Sequence, residues 1–286
     1  MADGEIIVGD STVGPSGFET VLLDYGTNGQ LDGAFGSNGQ VVTPLSSGGE
    51  LAIATDGSIM AIGDDELLRY SAAGILEGTA VLSSGGSTGS PQTIAIDPSG
   101  TVLVAGTYSG GVFAARFNND LTPDTTFNGT GFVFAASADN TIHGLTFLKL
   151  GSGSGLAFLA NSFDAFGFVN TPNDLFVYDS SGQADPSVAG NVAASIADLT
   201  YIGATSEGRL LVSGTTSAGT GVLGQFTANG TPDTSFGTNG SDMYAAVGRL
   251  LVEPGPSTFD AEAGKILVVA GQVWRYTAAG NVDSTV

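Results

Sequence analysis

The residues of this sequence that could do chemistry are carboxylates that recur at a fixed distance from an aromatic residue. In each of six repeats along the sequence, Asp or Glu follows an aromatic residue by seven positions. The six pairs are Tyr25 with Asp32, Tyr70 with Glu77, Phe117 with Asp124, Tyr178 with Asp185, Phe226 with Asp233, and Tyr276 with Asp283. Paired carboxylates serve glycosidases, and carboxylate oxygens bind calcium. Because the six acids occupy equivalent positions, we expect them to be spread around the molecule as turn-forming residues.

Other candidate groups give catalysis little support. His143 is the only histidine and cysteine is absent, so a Ser-His-carboxylate set is the one histidine-based option. No Gly-x-Ser-x-Gly motif lies in a strand-turn-helix context. Asp64, Asp65 and Glu66 form an acidic cluster that we interpret as a solvated loop. We predict no enzyme activity, no catalytic residue, no cofactor and no metal. Calcium held by an oxygen-rich loop such as residues 138–140 is the alternative.

Composition restricts the partners of this protein. Of its 286 residues, 28 are acidic and 7 are basic, which gives a net charge of −21. Such a charge repels nucleic acid and anionic membranes. No apolar run is long enough for a transmembrane helix, and residues 1–5 lack the features of a secretory signal. We therefore expect protein partners or a cell-surface glycan, with no nucleic acid and no membrane insertion.

A second motif predicts the strands that position these residues. A glycine precedes each of six short apolar runs, and Gly or Asn follows it. The runs are Ile6–Val8, Ile59–Ile62, Val102–Ala105, Leu156–Ala160, Leu210–Val212 and Ile266–Ala270. Continuous apolarity over this length indicates strands buried on both faces, closed by turns. The aromatic motif reads as the next strand and its exit turn, with a Phe three residues after the carboxylate packing into the core.

The repeat period indicates the architecture. Successive aromatics lie 45, 47, 61, 48 and 50 residues apart, the size of a four-stranded propeller blade. We predict an all-β fold with few or no helices, a β-propeller of six blades, with five as the alternative. A β-sandwich or an open β-solenoid is the second choice. One domain would cover residues 1–286, with copies at about 1–43, 44–88, 89–136, 137–194, 195–246 and 247–286.

Three segments carry a resemblance to a known repeat. Residues 117–127, 226–237 and 97–106 resemble the delta-60 repeat, whose unit reads roughly as a "DGKIVVAG" strand followed by an "RYNADGSLDTTFG" turn. The resemblance implies a propeller-like array of the kind found in bacterial or phage proteins. It supplies no catalytic residues.

The first and last copies are incomplete, which bears on how the array closes. The first copy lacks its incoming strand and the last lacks its outgoing strand. We expect Glu5–Val8 to lie near Ile266–Ala270, with one end of the chain completing a blade begun by the other. The alternative is that a partner chain supplies a strand by β-augmentation.

The longest loop between repeated strands is the candidate contact surface. It contains Phe163, Asp164, Phe166 and Phe168, and aromatic residues are enriched at interfaces. The alternative is that these phenylalanines form a buried extra strand. We predict a structural or binding protein, first a bacteriophage virion component such as a decoration, fibre or tail protein. A secreted bacterial cell-surface adhesion module is the alternative, and a carbohydrate-active propeller enzyme is the third possibility.

Overall fold

The protein is built from small antiparallel sheets of consecutive strands. The computed structural model describes residues 5–14, 17–47, 49–138, 141–150, 153–161, 174–205, 207–244, 249–252, 266–269, 273–277 and 279–283. The chain forms two compact units, residues 1–138 and 139–286. Each unit contains three sheets of repeat size. Six such sheets in the described residues agree with the six predicted copies.

The first unit has one sheet of three strands and two of four. Sheet 1 contains β1 (Ile6–Gly14), β2 (Gly17–Tyr25) and β3 (Gln40–Val42). Sheet 2 contains β4 (Leu51–Ile53), β5 (Ile59–Gly63), β6 (Glu66–Tyr70) and β7 (Leu76–Val81). A small hairpin follows, β8 (Ser83–Ser84) with β9 (Ser87–Thr88). Sheet 3 contains β10 (Ser90–Ile96), β11 (Val102–Tyr108), β12 (Gly111–Phe117) and β13 (Phe132–Ala136).

The second unit repeats the same order. Sheet 4 contains β14 (Thr141–Leu150), β15 (Gly153–Asn161) and β16 (Asp174–Tyr178). Sheet 5 contains β17 (Asp198–Ala204), β18 (Leu210–Thr215), β19 (Gly221–Phe226) and β20 (Ser241–Tyr244). Sheet 6 contains β21 (Arg249–Val252), β22 (Ile266–Val269) and β23 (Val273–Tyr276). Every pairing between the described strands is antiparallel and joins neighbours in the chain, so each sheet is a meander.

Tight turns at glycine set the start of the predicted strands. Gly57 and Gly100 have φ values of 82° and 87° and precede β5 and β11. This left-handed conformation is open to glycine at no steric cost. The five residues of β5 are all buried, and so are the first five of β11. Burial on both faces is thus confirmed for these two runs.

Within each unit, neighbouring sheets pack face to face. Five of the six repeated aromatics are buried, and Tyr25 is half-buried. Sheet 1 packs Leu22 with Ile59 and Tyr70 of sheet 2. In the second unit, sheet 5 packs Leu223 with Tyr276 of sheet 6. The same arrangement joins sheets 2 and 3, and sheets 4 and 5. Four of the repeated aromatics belong to these clusters, namely Tyr70, Phe117, Phe226 and Tyr276.

The first strand contradicts the sequence prediction. Seven of the nine residues of β1 are exposed, and Ile7 is the one that is buried. We expected Ile6–Val8 to be buried on both faces, as β5 and β11 are. The difference follows from pairing, because β1 pairs only with β2 among the described residues, whereas β5 and β11 have a strand on each side.

One helix interrupts the pattern, as the prediction of few helices allows. Helix α1 (Pro186–Ala193) follows the aromatic strand of sheet 4, where sheets 2, 3 and 5 continue into a fourth strand. Val188 and Val192 are its buried residues. No helix within the described ranges is long and apolar enough to cross a membrane. The candidate loop residues Phe163, Asp164, Phe166 and Phe168 lie outside the described residues.

Candidate functional site

The repeated carboxylates form the exit turns of the sheets. Asp124 Oδ1 accepts hydrogen bonds from the backbone N of Thr126 at 2.9 Å and from its Oγ1 at 2.6 Å. Asp233 binds Ser235 in the same way, at 3.1 and 2.7 Å. Asp185 uses this bond to cap helix α1, accepting from the N of Ser187 at 3.1 Å. The turn-forming role predicted from the sequence is confirmed at these positions.

The carboxylates also pair with an arginine that precedes the aromatic. Arg116 Nε donates to Asp124 Oδ2 at 2.8 Å, and its guanidinium lies 4.7 Å from the centre of the Phe127 ring. Arg69 pairs with Glu77 at 2.8 Å, and Arg275 with Asp283 at 2.9 Å. We did not predict this pairing from the sequence, although an arginine precedes the aromatic in three of the six motifs.

Electrostatics at the third exit turn favour the ionised acid. Burial raises the pKa of Asp124, but the hydrogen bonds from Thr126 and the charge of Arg116 outweigh it and hold the pKa below its usual value. Both partners are mostly buried, with side chains 10% and 18% exposed. The pair is thus a fixed structural element, and both carboxylate oxygens of Asp124 already accept hydrogen bonds within the protein.

Three repeats depart from this arrangement, and Val177 is the residue before the aromatic in the fourth. Gln225 precedes the aromatic in the fifth repeat, and Asp233 pairs there with Arg209, which directly precedes strand β18. Asp24 precedes the aromatic in the first repeat, so an acid stands where Arg69 and Arg116 stand in later copies. Arginine is replaced by its opposite charge only in this described exit turn, and the environment of the carboxylate changes accordingly.

The first repeat therefore holds a cluster of three carboxylates. Oxygens of Glu5, Asp24 and Asp32 all lie within 4.8 Å of one another. Asp24 is 2% exposed, while Glu5 and Asp32 are half-buried. Beside them opens a cleft of about 400 Å³, lined by Glu5, Gly26, Thr27, Asn28, Gln30, Leu31 and Asp32. The sequence signal that could have found this cluster is the exchange of arginine for Asp24.

The cluster defines the chemistry that the cleft could support. Three carboxylates could hold a hard cation, although Ca²⁺ takes about six to eight oxygen ligands. The cleft adds amide groups from Asn28 and Gln30, and Asn28 Oδ1 already accepts from the N of Gln30 at 2.9 Å. Carboxylates beside amides also suit a polyhydroxylated ligand, because both kinds of group hydrogen-bond hydroxyls. This cleft is the candidate functional site.

A second cleft, of about 440 Å³, surrounds Arg69. The guanidinium binds Asp56 Oδ2 at 3.2 Å, Glu77, and both the backbone and side-chain oxygens of Asn119. A hydrogen bond from the Ser58 side chain is the largest of several causes that lower the pKa of Asp56 to about 2, and Arg69 adds to it. The arginine is therefore saturated by protein acceptors and has little capacity for an anionic ligand.

The remaining sequence candidates have structural surroundings. His143 lies in β14 and packs edge to face on Tyr201, with ring centres 6.2 Å apart. Asp64 is exposed, as expected for a solvated loop, yet it accepts hydrogen bonds from the backbone N and Oγ of Ser46, each at 2.8 Å. Glu66 begins strand β6, so the predicted acidic loop is shorter than three residues.

Comparison with known families supports the repeat class. A family described as a domain of unknown function (DUF5122), beta-propeller, matches residues 98–127 and 205–236. These segments run from the turn before β11 and β18 to the exit turns of sheets 3 and 5. With the sheets described above, the match shows a β-propeller fold built from repeats. It does not single out the delta-60 repeat that the sequence resembles. No curated protein sequence matches this chain.

Solved structures share this fold at low identity. PorZ, a bacterial surface component of the type-IX secretion system of Porphyromonas gingivalis, has a TM-score of 0.50 and 8% identity over 99% of this chain and 40% of its own. A gluconolactonase from Xanthomonas campestris has a TM-score of 0.43 and 13% identity, covering 89% of this chain and 80% of its own. A regucalcin from Agrobacterium tumefaciens, described as a calcium-binding protein, has a TM-score of 0.37 and 13% identity. The match covers 93% of this chain and 83% of its own.

These similar structures correct one prediction. We predicted from the sequence that the chain is not an enzyme, because no catalytic motif was found. That prediction is wrong in treating the absence of a motif as evidence against activity, since proteins described as a gluconolactonase and a luciferin-regenerating enzyme are among the similar structures. A propeller scaffold hosts unrelated functions, so activity must be judged at the site itself.

Proposed function

We propose that this protein is an interaction module of a larger assembly, and that a bacteriophage particle is that assembly. The observation that carries the proposal is the placement of exposed apolar residues. Among the described residues, nine of the ten large apolar side chains that are exposed lie between residues 6 and 81. Scattered single apolar residues are normal on a protein surface, whereas their concentration in one region is typical of a contact surface.

The most exposed of these residues stand on sheet edges and turns. Val13 and Phe18 face each other across the β1–β2 hairpin and are 75% and 69% exposed. Ile75, at 66%, precedes the outer strand β7. Exposed apolar groups on sheet edges lower the solubility of the isolated protein. Covering them with a partner is favourable, because apolar surface is removed from water. The low content of charged residues, 12%, supports the same interpretation.

The test is to locate the protein in its native setting. Antibody labelling and mass spectrometry of purified particles should find the chain at a fixed stoichiometry. Protease treatment of intact bacteria examines the alternative, a secreted cell-surface adhesion module. If the chain is released from the cell surface and is absent from particles, the virion assignment is overturned and the adhesion module replaces it.

A carbohydrate-active enzyme is the second candidate function. The acidic cleft favours it, because retaining glycosidases hold two carboxyl groups about 5 Å apart and the oxygens of Glu5 and Asp32 lie within 4.8 Å. A panel of glycosides and sugar lactones tests this candidate. Turnover that disappears in Asp32→Asn and persists in Asp198→Asn, an exposed acid of β17, would establish it. Absence of turnover across the panel removes it.

A further inference from the structure

The first sheet is incomplete relative to its own repeats. Sheets 2, 3 and 5 each begin with a strand that pairs antiparallel with the buried central strand: β4 with β5, β10 with β11, and β17 with β18. Strand β1 is the equivalent of β5, β11 and β18, and among the described residues it has β2 on one side and no strand on the other. Sheets 4 and 6 also have this first strand, so sheet 1 presents an edge where the other five sheets have a strand.

Exposure along β1 shows the consequence. Ile6 and Val8 are 61% and 37% exposed, whereas the corresponding residues of β5 and β11 are buried. No described strand pairs with the second edge of β1. An open edge of nine residues is a template for another strand, a segment of about 30 Å. Residues 6–8 of β1 are thus apolar like those of a central strand, although β1 is an edge strand among the described residues.

The charge around this edge restricts what can pair with it. Residues 1–68 contain eleven acids and no lysine or arginine. Asp10 is exposed in the middle of β1, and Glu5 directly precedes the strand. A second copy of this chain would bring the same negative charge to the contact. Charge complementarity favours a segment that carries lysine or arginine.

We propose that β1 accepts an extended segment of a partner protein, with apolar residues alternating with basic ones, as the missing antiparallel strand of sheet 1. This inference rests on the proposed interaction function and names its surface and partner chemistry. Backbone hydrogen bonds to β1 would supply affinity. Apolar side chains of the segment would cover Ile6 and Val8, and its basic side chains would lie near Asp10 and Glu5.

The experiment uses the full chain and a short synthetic peptide of alternating valine and lysine. Fluorescence anisotropy should show binding that weakens as salt is raised. Amide hydrogen exchange of residues 6–14 should be fast in the free protein and slow in the complex. A valine–glutamate peptide and a serine–lysine peptide are the controls, and each should bind at least about tenfold more weakly.

Two variants locate the site, and their folding is checked by thermal melting. Val8→Lys should weaken peptide binding by about tenfold or more, because a lysine on the edge both repels the peptide and obstructs the added strand. Val81→Lys, on the exposed edge strand β7, should leave binding unchanged. The proposal is overturned if Val81→Lys alone weakens binding, or if the valine–glutamate peptide binds equally well.

Two other occupants of the edge give distinct results. Slow exchange of residues 6–14 in the free monomer would mean that a segment of this chain already covers β1. Slow exchange that appears only as protein concentration rises, together with a dimer by native mass measurement, would identify a second copy. Either result overturns the inference about β1, whereas the presence of the chain in purified particles tests the assembly function separately.

Discussion

Phe236 packs its ring against Gly280 in the exit turn of the next repeat, where an added Cβ would lie 2.8 Å from three ring carbons. Phe35 contacts Gly74 in the same way, with an added Cβ 3.0 Å from its ring. In each case the glycine lies four residues after a repeated aromatic and has a positive φ, 77° at Gly280 and 76° at Gly74. The glycine thus allows the turn and leaves space for the phenylalanine ring of the preceding repeat.

Gly280→Ala should therefore destabilise the protein more than an equivalent change without a neighbour. Gly29 is the matched control, because its φ is 73° and nothing lies within 4 Å of an added Cβ. Gly29→Ala should cost about 1–2 kcal/mol from backbone strain alone. Gly280→Ala should cost about 1–3 kcal/mol more, from overpacking against Phe236. Urea unfolding measures both, and equal losses would show that the ring contact carries no energy.

Part of this relationship could be predicted from the sequence and part could not. Glycine and apolar runs are local signals, so β5, β11 and the exit turns were predicted correctly. The contact between Phe236 and Gly280 joins positions in different repeats, and a single repeat pattern does not say which copy packs on which. At the third repeat both the glycine and the phenylalanine of this contact are absent. Leu121, with a φ of 66°, occupies the glycine position. The preceding repeat has Ala80 at the position of Phe35 and Phe236.

The candidate site was less predictable than the fold for an electrostatic reason. The aromatic motif identifies Asp32 as a turn residue. The motif does not include the residue before the aromatic, where the first repeat has Asp24 and three later repeats have arginine. Only the fold brings Glu5, from the segment before β1, into the same cluster. The exposure of β1 was not predicted, because an apolar run indicates which residues a strand could bury. It does not indicate whether a neighbouring strand is present.

Arg116→Gln should be strongly destabilising, because it leaves the mostly buried carboxylate of Asp124 without its cation. The expected loss in the free energy of unfolding is about 3 kcal/mol, at the low end for a buried pair. Glu207→Gln breaks the exposed pair with Arg209 and should change stability by less than about 1 kcal/mol. A double variant, Arg116→Gln with Asp124→Asn, should recover part of the loss, and strict additivity of the two changes would argue against a direct pair.

Asp24→Asn should stabilise the protein near neutral pH. The change keeps the shape of the side chain and removes one of three negative charges whose oxygens lie within 4.8 Å. Repulsion between two like charges 4.8 Å apart is about 3.5 kcal/mol at an effective dielectric constant near 20. Thermal melting at pH 7 should show the gain. Asp198→Asn is the control, and an equal gain there would reflect net charge alone.

Acid stability should depend on Ser58. The hydrogen bond from Ser58 Oγ to Asp56 Oδ1, at 2.6 Å, is the largest cause of the lowered pKa of Asp56, about 2 in the folded protein. An unfolded aspartate has a pKa of about 4. Because the folded pKa is the lower one, the stability linked to Asp56 is present above about pH 4 and is lost as the pH falls toward 2. Ser58→Ala should therefore move the midpoint of acid unfolding to higher pH. The same change in an Asp56→Asn background should have no effect on that midpoint, and an unchanged shift in that background would place the effect of Ser58 elsewhere in the turn.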